Sequence, residues 1–177
     1  MLKEPLGEVY LSAEVIQARV EELGKAIAAD YRDRKLMLVG ILRASFVFMA
    51  DLVRHIDIPL SVDFMAISSY ESEGGAAGAV KILKDLDESV TGKHILIVED
   101  IIDTGLTLGY LIRHLDARSP ESIKICTLLD RSIRRIVPLP ISYKGFDIPD
   151  IYVVGYGMDY QQIYRNLPSL HLCSVRL

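Results

Sequence analysis

One stretch limits the possible folds more than any other: the aliphatic run ILIV at 95–98 and the charged run that follows it. A continuous, largely β-branched run is typical of a strand buried on both faces, as in the parallel sheet of an α/β domain. Three carboxylates follow, Glu99, Asp100 and Asp103. Carboxylates this close repel one another and resist desolvation unless a cation, a sugar diol or ordered donors offset their charge. The stretch therefore predicts a ligand site at the end of a buried strand.

Length and charge narrow the class of protein. The 177 residues suit one domain, spanning 1–177, and no linker-like tract divides them. Lys and Arg number 20 against 24 Asp and Glu, a net charge of -4, so the chain has no overall basic footprint for nucleic acid. We therefore expect no nucleic-acid partner, although a local basic cluster could hold a small anion.

Cysteine usage and hydropathy predict a cytoplasmic protein. Cys126 and Cys173 lie far apart and fit neither a metal-ligand spacing nor a disulfide framework. The first residues, MLKEPLGEVYLS, lack the apolar core and cleavage site of a secretory signal. No apolar run approaches the roughly 18 residues that cross a bilayer, so we expect no membrane partner.

Helical and strand-like patterns alternate through most of the chain. Ser12 is suited to cap a helix that runs to about Tyr31, whose apolar face would comprise Val15, Ile16, Val20, Leu23 and Ile27. Strands are predicted at 35–42, 60–68, 80–86, 94–98 and 122–129, and helices at 45–55 and 104–115. Short β-like pieces follow Arg131. This alternation predicts a mainly parallel central sheet flanked by helices.

Unusual residues gather where the predicted strands end. In an open parallel sheet a ligand binds at the carboxyl edge, where loops are expected to open after Ile41, Val98, Leu129 and Val154. A predicted helix starts with Thr104, Gly105, Leu106 and Thr107. Their N–H groups and hydroxyls predict a concave phosphate site. The chain has neither the Walker-type glycine loop nor GxGxxG after a strand, which argues against a dinucleotide fold.

Five motifs, in order along the chain, resemble those of one family. VEDIIDTGLT resembles the signature of type I phosphoribosyltransferases, and its ED-x-x-D form is similar to that of hypoxanthine-guanine phosphoribosyltransferases. The other motifs are GILRAS, SSY, LLDR, and IYVVGYGMDY through YRNLP. The resemblance implies the type I phosphoribosyltransferase fold, with a small β-rich hood from the terminal segments. It also implies transfer of ribose phosphate from phosphoribosyl pyrophosphate to hypoxanthine, with guanine as a further acceptor, and release of pyrophosphate.

The resemblance assigns roles to the acidic run and the residues after it. Glu99 and Asp100 would hold the ribose hydroxyls and help to bind Mg2+, while the segment 104–107 would grip the 5-phosphate. Asp103 would be the general base at purine N7, because a carboxylate accepts a proton and stabilises positive charge nearby. The alternative is that Asp103 only caps the following helix.

By the same resemblance, pyrophosphate would lie against Leu42, Arg43, Ala44 and Arg165. The family pattern also predicts a cis peptide bond between Leu42 and Arg43. Arg43 stands where relatives often carry Lys, and the alternative is a solvated Arg at a strand end.

The purine would lie against Arg131, Tyr152 and Val153, and Asp159 would be a further Mg2+ ligand. Arg131 stands where many relatives carry a Lys that donates to the 6-oxo group, and the alternative is a surface Arg within RSIRR. An aromatic residue in a strand is more often part of the core, so the stacking role of Tyr152 rests on the resemblance.

A Gly- and Ala-rich segment at about 69–80, which includes Ser69 and Tyr70, resembles the closing lid of the family. A lid would exclude water from a reactive sugar cation, and the alternative is an ordinary hairpin tip. The family also implies a homodimer or homotetramer. Two other functions stay open: an RNA-binding regulator on the same fold, which needs a basic face, and an inactive subunit that binds phosphoribosyl pyrophosphate without turnover.

Overall fold

The computed structural model describes residues 6–69 and 80–174. Its elements in chain order are β1 (Leu6–Leu11), α1 (Ala13–Asp30), β2 (Leu36–Leu42), α2 (Phe46–Arg54), β3 (Leu60–Ser69), β4 (Val80–Lys84), β5 (His94–Ile102), α3 (Leu106–Asp116), β6 (Ser122–Asp130), β7 (Ile141–Asp147), β8 (Val153–Val154) and β9 (Leu170–Cys173). They form a six-stranded sheet in the order β4-β3-β2-β5-β6-β7 and a three-stranded sheet in the order β1-β9-β8. Ser69 ends β3, while Tyr70 and the rest of the predicted lid up to residue 79 lie outside the described residues.

The six-stranded sheet is parallel except at one edge. Leu38 of β2 pairs in parallel with Val62 of β3 on one side and with Leu96 of β5 on the other. Strands β6 and β7 continue the parallel order, whereas β4 runs antiparallel to β3. The predicted mainly parallel sheet is therefore confirmed.

Helices cover both faces of this sheet, which explains its continuous aliphatic runs. Side chains along β5 alternate between the faces. Leu96 and Val98 belong to the buried cluster that α1 and α2 complete, and Ile95 and Ile97 belong to the cluster that α3 completes.

Helix α1 begins and ends as predicted, but its apolar face is narrower. The Ser12 hydroxyl accepts a hydrogen bond from the N–H of Val15 at 3.4 Å. The predicted face is confirmed at the buried residues Ile16, Val20, Leu23 and Ile27. Val15 is 47% exposed, so its inclusion was wrong. It precedes Ile16 by one position, which is about 100° around a helix.

Two boundaries near the acidic run differ from the prediction. Strand β5 ends at Ile102 instead of Val98, because its pairing with β6 continues until Ile102 lies opposite Asp130. Glu99 and Asp100 consequently lie within the strand rather than in the loop after it. Helix α3 begins at Leu106 rather than at residue 104.

The three-stranded sheet is the β-rich hood. Val154 of β8 pairs with His171 of β9, and Leu6 of β1 pairs with Cys173, all antiparallel. The expectation that the loop after Val154 opens from a strand of the parallel sheet was therefore wrong, because Val154 belongs to the hood. Within the ranges 6–69 and 80–174, no helix combines the length and apolarity needed to cross a membrane.

Candidate active site

A cavity of about 320 Å³ lies at the carboxyl end of β5. Its lining residues are Ala44, Asp100, Ile101, Asp103, Arg131, Arg134, Tyr152, Val153, Met158 and Asp159. A smaller cavity of about 190 Å³ shares Ile101 and Asp103 with it. The two cavities are therefore adjacent, on either side of these two residues.

The first two carboxylates of the acidic run serve different cavities. Successive side chains of a strand point to opposite sides, and Glu99 lines the smaller cavity whereas Asp100 lines the larger one. Burial raises the pKa of Glu99 well above its ordinary range, and the charge of Asp100 raises it further. Burial also raises the pKa of Asp100, to about 6. A bound cation or hydroxyl donors would favour the charged forms of both groups.

The third carboxylate, Asp103, lies beside Arg131 in the larger cavity. Asp103 Oδ1 is 3.3 Å from Arg131 Nε, and Asp103 Oδ2 is 3.5 Å from Arg131 Nη1. Asp103 Oδ1 and Arg131 Nε are both buried and find no hydrogen-bond partner among the described residues. Since these two atoms lie 3.3 Å from each other, they form an ion pair rather than a hydrogen bond, on the wall of the cavity that both residues line.

The structure excludes the two alternative interpretations, a helix cap for Asp103 and a surface position for Arg131. Gly105, and not Asp103, is the N-cap of α3, and the cap position receives no side-chain hydrogen bond. Arg131 is 5% exposed, so it is not a surface arginine. Both side chains belong to the cleft.

Sequence reasoning missed three residues that hold this pair in place. Asp150 Oδ1 lies 3.9 Å from Arg131 Nη1 and 2.6 Å from Arg134 Nε. Arg135 donates from Nε to the carbonyl oxygen of Asp103 at 2.8 Å. The arginines were visible in RSIRR but resembled a surface cluster, and nothing in the spacing to Asp150 indicated a contact.

The smaller cavity is formed largely by the predicted phosphate cradle. Thr104, Gly105 and Thr107 line it, whereas Leu106 is 47% exposed and does not. Gly105 has φ of 79°, and a Cβ there would lie 2.9 Å from the carbonyl oxygen of Val137, so glycine is needed for both reasons. The free N–H groups at the start of α3 favour an anion in this cavity.

The segment between β2 and α2 forms another part of the cleft. The predicted cis peptide bond between Leu42 and Arg43 is confirmed. Ala44 lines the larger cavity, while Arg43 is exposed, so the alternative of a solvated arginine stays open. Arg165 donates from Nη1 to the carbonyl oxygen of Gly157 at 2.7 Å and does not line either cavity.

Residues next to the hood close the larger cavity. Tyr152 and Val153 line it, and the Tyr152 hydroxyl donates to the carbonyl oxygen of Asp159 at 2.9 Å. Asp159 Oδ1 pairs with Arg165 Nη2 at 2.6 Å, and Oδ2 accepts from the N–H of Gln162 at 2.7 Å. Asp159 therefore faces the cavity with its carboxylate already held by protein groups.

Comparisons with known proteins agree on one family. Residues 8–161 match the family described as "Phosphoribosyl transferase domain". The chain is 48% identical over 170 residues to the hypoxanthine-guanine phosphoribosyltransferase of Bacillus subtilis, covering 96% of this chain and 94% of the relative. It is 53% identical over 163 residues to the hypoxanthine phosphoribosyltransferase of Salmonella typhimurium, covering 91% and 92%. A crystal structure of a hypoxanthine phosphoribosyltransferase from Staphylococcus aureus matches with a TM-score of 0.91 at 45% identity, covering 96% of this chain and 92% of that one.

Proposed function

The chain belongs to the phosphoribosyltransferase family, and from that membership we propose a reaction for its cleft. The protein is a purine salvage enzyme that transfers the 5-phosphoribosyl group of phosphoribosyl pyrophosphate to hypoxanthine. Guanine is a second acceptor. The products are IMP or GMP and pyrophosphate. The observation that carries the proposal is the ion pair of Asp103 with Arg131, at the edge between the larger cavity and the smaller one that Thr104, Gly105 and Thr107 line.

The side chains of the cleft suit both parts of the reaction, the exchange of bonds at the ribose and the loss of a proton from the purine. Purine N9 forms a bond to C1 of the ribose as the bond from C1 to the pyrophosphate oxygen breaks, and that bonding pair leaves with pyrophosphate. Positive charge on the purine is relieved when the N7 proton passes to Asp103. The donors of Arg131 meet the 6-oxo group, and the ring of Tyr152 covers one face of the base. Glu99 and Asp100 accept hydrogen bonds from the ribose hydroxyls.

Phosphate and pyrophosphate are assigned to opposite ends of the sugar. Thr104, Gly105 and Thr107 bind the 5-phosphate with hydroxyl and backbone donors, and Leu106 contributes its backbone alone. Backbone groups of residues 42–44 bind pyrophosphate together with the charges of Arg43 and Arg165.

Mg2+ fits the donor set of the cleft. Within the described parts of the chain, no group of three or more His, Cys, Asp or Glu could hold a metal by itself. Mg2+ commonly takes one or two carboxylates and completes its shell with water and substrate oxygens, which is what Asp100, Glu99 and Asp159 can offer. When bound, it would neutralise charge on the pyrophosphate leaving group.

The different-class alternatives have less support. An RNA-binding regulator needs a basic face, whereas Arg131 and Arg134 are ion-paired with carboxylates inside the cleft. An inactive subunit needs no general base, and therefore no carboxylate held by an arginine as Asp103 is held by Arg131. Homo-oligomerisation and a cytoplasmic location stay predictions. The second is supported by the two free cysteines, Cys126 and Cys173.

Nucleotide formation tests this function directly. Phosphoribosyl pyrophosphate and Mg2+ are supplied with hypoxanthine, guanine, xanthine or adenine separately at matched concentrations. We expect turnover with hypoxanthine and guanine, and far less with adenine, because Arg131 is a donor and faces a donor in the 6-amino group. Binding of phosphoribosyl pyrophosphate without turnover of any base would contradict the proposal and favour the inactive-subunit reading.

A further inference from the structure

Tyr156 is buried behind the cleft in an unusual backbone conformation. The backbone φ angles of Gly155, Tyr156 and Gly157 are 104°, 49° and 96°. Residues other than glycine seldom have positive φ angles. Tyr156 is 2% exposed and lines neither the larger nor the smaller cavity. A non-glycine residue in this conformation is retained where surrounding contacts over-determine it.

A carboxylate on α2 holds the Tyr156 hydroxyl. The hydroxyl donates to Asp51 Oδ2 at 2.6 Å, and Gln17 Nε2 donates to the same oxygen at 2.7 Å. Arg54 pairs with Asp51 Oδ1. Burial acts to raise the pKa of Asp51, but the hydrogen bonds from these three residues outweigh it and the pKa is lowered. Asp51 is therefore a charged acceptor, which gives a stronger hydrogen bond than a neutral one.

The turn that contains Tyr156 touches both sides of the proposed pyrophosphate site. A Cβ on Gly157 would lie 2.2 Å from the carbonyl oxygen of Ala44, so the two backbones are in close contact. The Gly157 carbonyl oxygen accepts from Arg165 Nη1 at 2.7 Å, and the Gly157 N–H donates to the Arg165 carbonyl oxygen at 3.0 Å. Helix α2, which carries Asp51, begins two residues after Ala44.

We propose that Tyr156 is a positioning residue for the pyrophosphate side of the active site. Through Asp51 it ties the turn Gly155–Gly157 to α2, so that Ala44 and Arg165 keep a fixed separation. The inference rests on the proposed function, which assigns pyrophosphate to these two residues. On the purine side, Asp103 is held from elsewhere, by Arg131 and Arg135, so the position of this carboxylate does not depend directly on the Tyr156 hydroxyl.

A matched pair of variants separates positioning from general stability. Tyr156→Phe removes the hydroxyl. Tyr143→Phe removes an equivalent hydroxyl, because the Tyr143 hydroxyl also donates to a carboxylate oxygen, Asp30 Oδ2, at 2.6 Å. Tyr143 is 7% exposed and lines neither the larger nor the smaller cavity. We expect both variants to unfold at lower urea concentration than the wild type. We expect Tyr156→Phe to lower kcat/KM for phosphoribosyl pyrophosphate and to weaken inhibition by pyrophosphate, each by about tenfold.

The purine side provides the internal control. With saturating phosphoribosyl pyrophosphate, kcat/KM for hypoxanthine should stay within about twofold of the wild type in Tyr156→Phe, and Tyr143→Phe should leave all three quantities unchanged. Equal losses toward both substrates, or no kinetic change beside a loss of stability, would overturn the positioning role. Lack of turnover in the wild type would instead contradict the proposed function on which the inference rests.

Asp51→Asn provides a second route to the same answer. It removes the charge of the acceptor while leaving an oxygen for the phenol, so its effect on phosphoribosyl pyrophosphate should be smaller than that of Tyr156→Phe and in the same direction. Combined with Tyr156→Phe it should add little, because both changes remove the same contact. Fully additive losses in the double variant would show that the two residues act independently and would contradict the proposal.

Discussion

At the scale of single residues, the main feature of the cleft is the ion pair between Asp103 and Arg131. Arg131 donates from Nη1 to Asp103 Oδ2 at 3.5 Å and forms an ion pair with Oδ1, and both residues line the larger cavity. A 6-oxopurine offers a donor at N7 beside an acceptor at position 6, which matches that pair. The family resemblance indicated the acceptor and the donor, but only the fold brings Asp150 and Arg134 beside them.

Replacing Arg131 tests its role toward the base. Arg131→Met keeps most of the side-chain volume but removes every donor, so kcat/KM for hypoxanthine should fall about 10- to 100-fold while the KM for phosphoribosyl pyrophosphate changes little. Arg131→Lys is the matched control, because it keeps a donor and should stay within about tenfold of the wild type. Steady-state kinetics with each substrate varied in turn would measure both. A methionine variant as active on hypoxanthine as the wild type would contradict the assignment.

At the scale of secondary structure, a polar anchor joins the edge strand β4 to helix α3. Asp85 follows β4 and pairs with Arg118, which follows α3, while His114 Nε2 of α3 lies 3.4 Å from Asp85 Oδ2. The hydrogen bond from Arg118 is the largest influence on the Asp85 carboxyl, whose pKa is lowered to about 2. The anchor holds β4, the first strand after the predicted lid segment, against α3, whose first two residues belong to the predicted phosphate site.

The pH dependence of this anchor follows from the lowered pKa. A carboxyl with a lower pKa in the folded chain stabilises the fold above its ordinary pKa of 3.8, and that contribution disappears as pH falls toward 2. Asp85 is 39% exposed, so solvent screening limits the effect of Asp85→Asn at pH 7 to about 0.5 kcal/mol of the free energy of unfolding.

Urea unfolding at two pH values would test the anchor. The difference between wild type and Asp85→Asn should shrink by about half at pH 3. Asp57→Asn, at an exposed carboxylate beyond α2, is the control and should change little at either pH. A difference between wild type and Asp85→Asn that grew as the pH fell would contradict the pairing.

At the scale of the whole molecule, the architecture was readable from the sequence and the contacts between distant segments were not. Aliphatic runs such as ILIV predict strands that are buried on both faces. Because these strands alternate with helices along the chain, only a few sheet topologies are possible. The end of β5 was misplaced because pairing with β6 extends a strand through Glu99 and Asp100, which local pattern marks as loop. The separate hood sheet was implied by resemblance, since β8 is two residues long and carries little pattern of its own.

The same distinction applies to the site. Asp103 and the predicted phosphate site after it are contiguous in sequence, so one motif was enough to predict that they lie together, and Asp103, Thr104, Gly105 and Thr107 do line one cavity. The contact of Tyr156 with Asp51 joins residues 105 positions apart and depends on three successive positive φ angles, which no local signal reveals. Neighbours within one motif are therefore predictable, whereas contacts between distant segments are known only from the fold.

We propose that Asp103, the carboxylate directly after β5, removes a proton from the purine while its neighbours hold the sugar phosphate. Asp103→Asn tests it, measured beside the wild type for IMP formation and for binding of phosphoribosyl pyrophosphate with Mg2+, with Asp116→Asn as an exposed carboxylate control. Asn keeps the shape but accepts no proton, so turnover should fall about 100-fold or more while binding stays within a few-fold, and the control should match the wild type. Turnover by Asp103→Asn at the wild-type rate would contradict the role of Asp103 as general base.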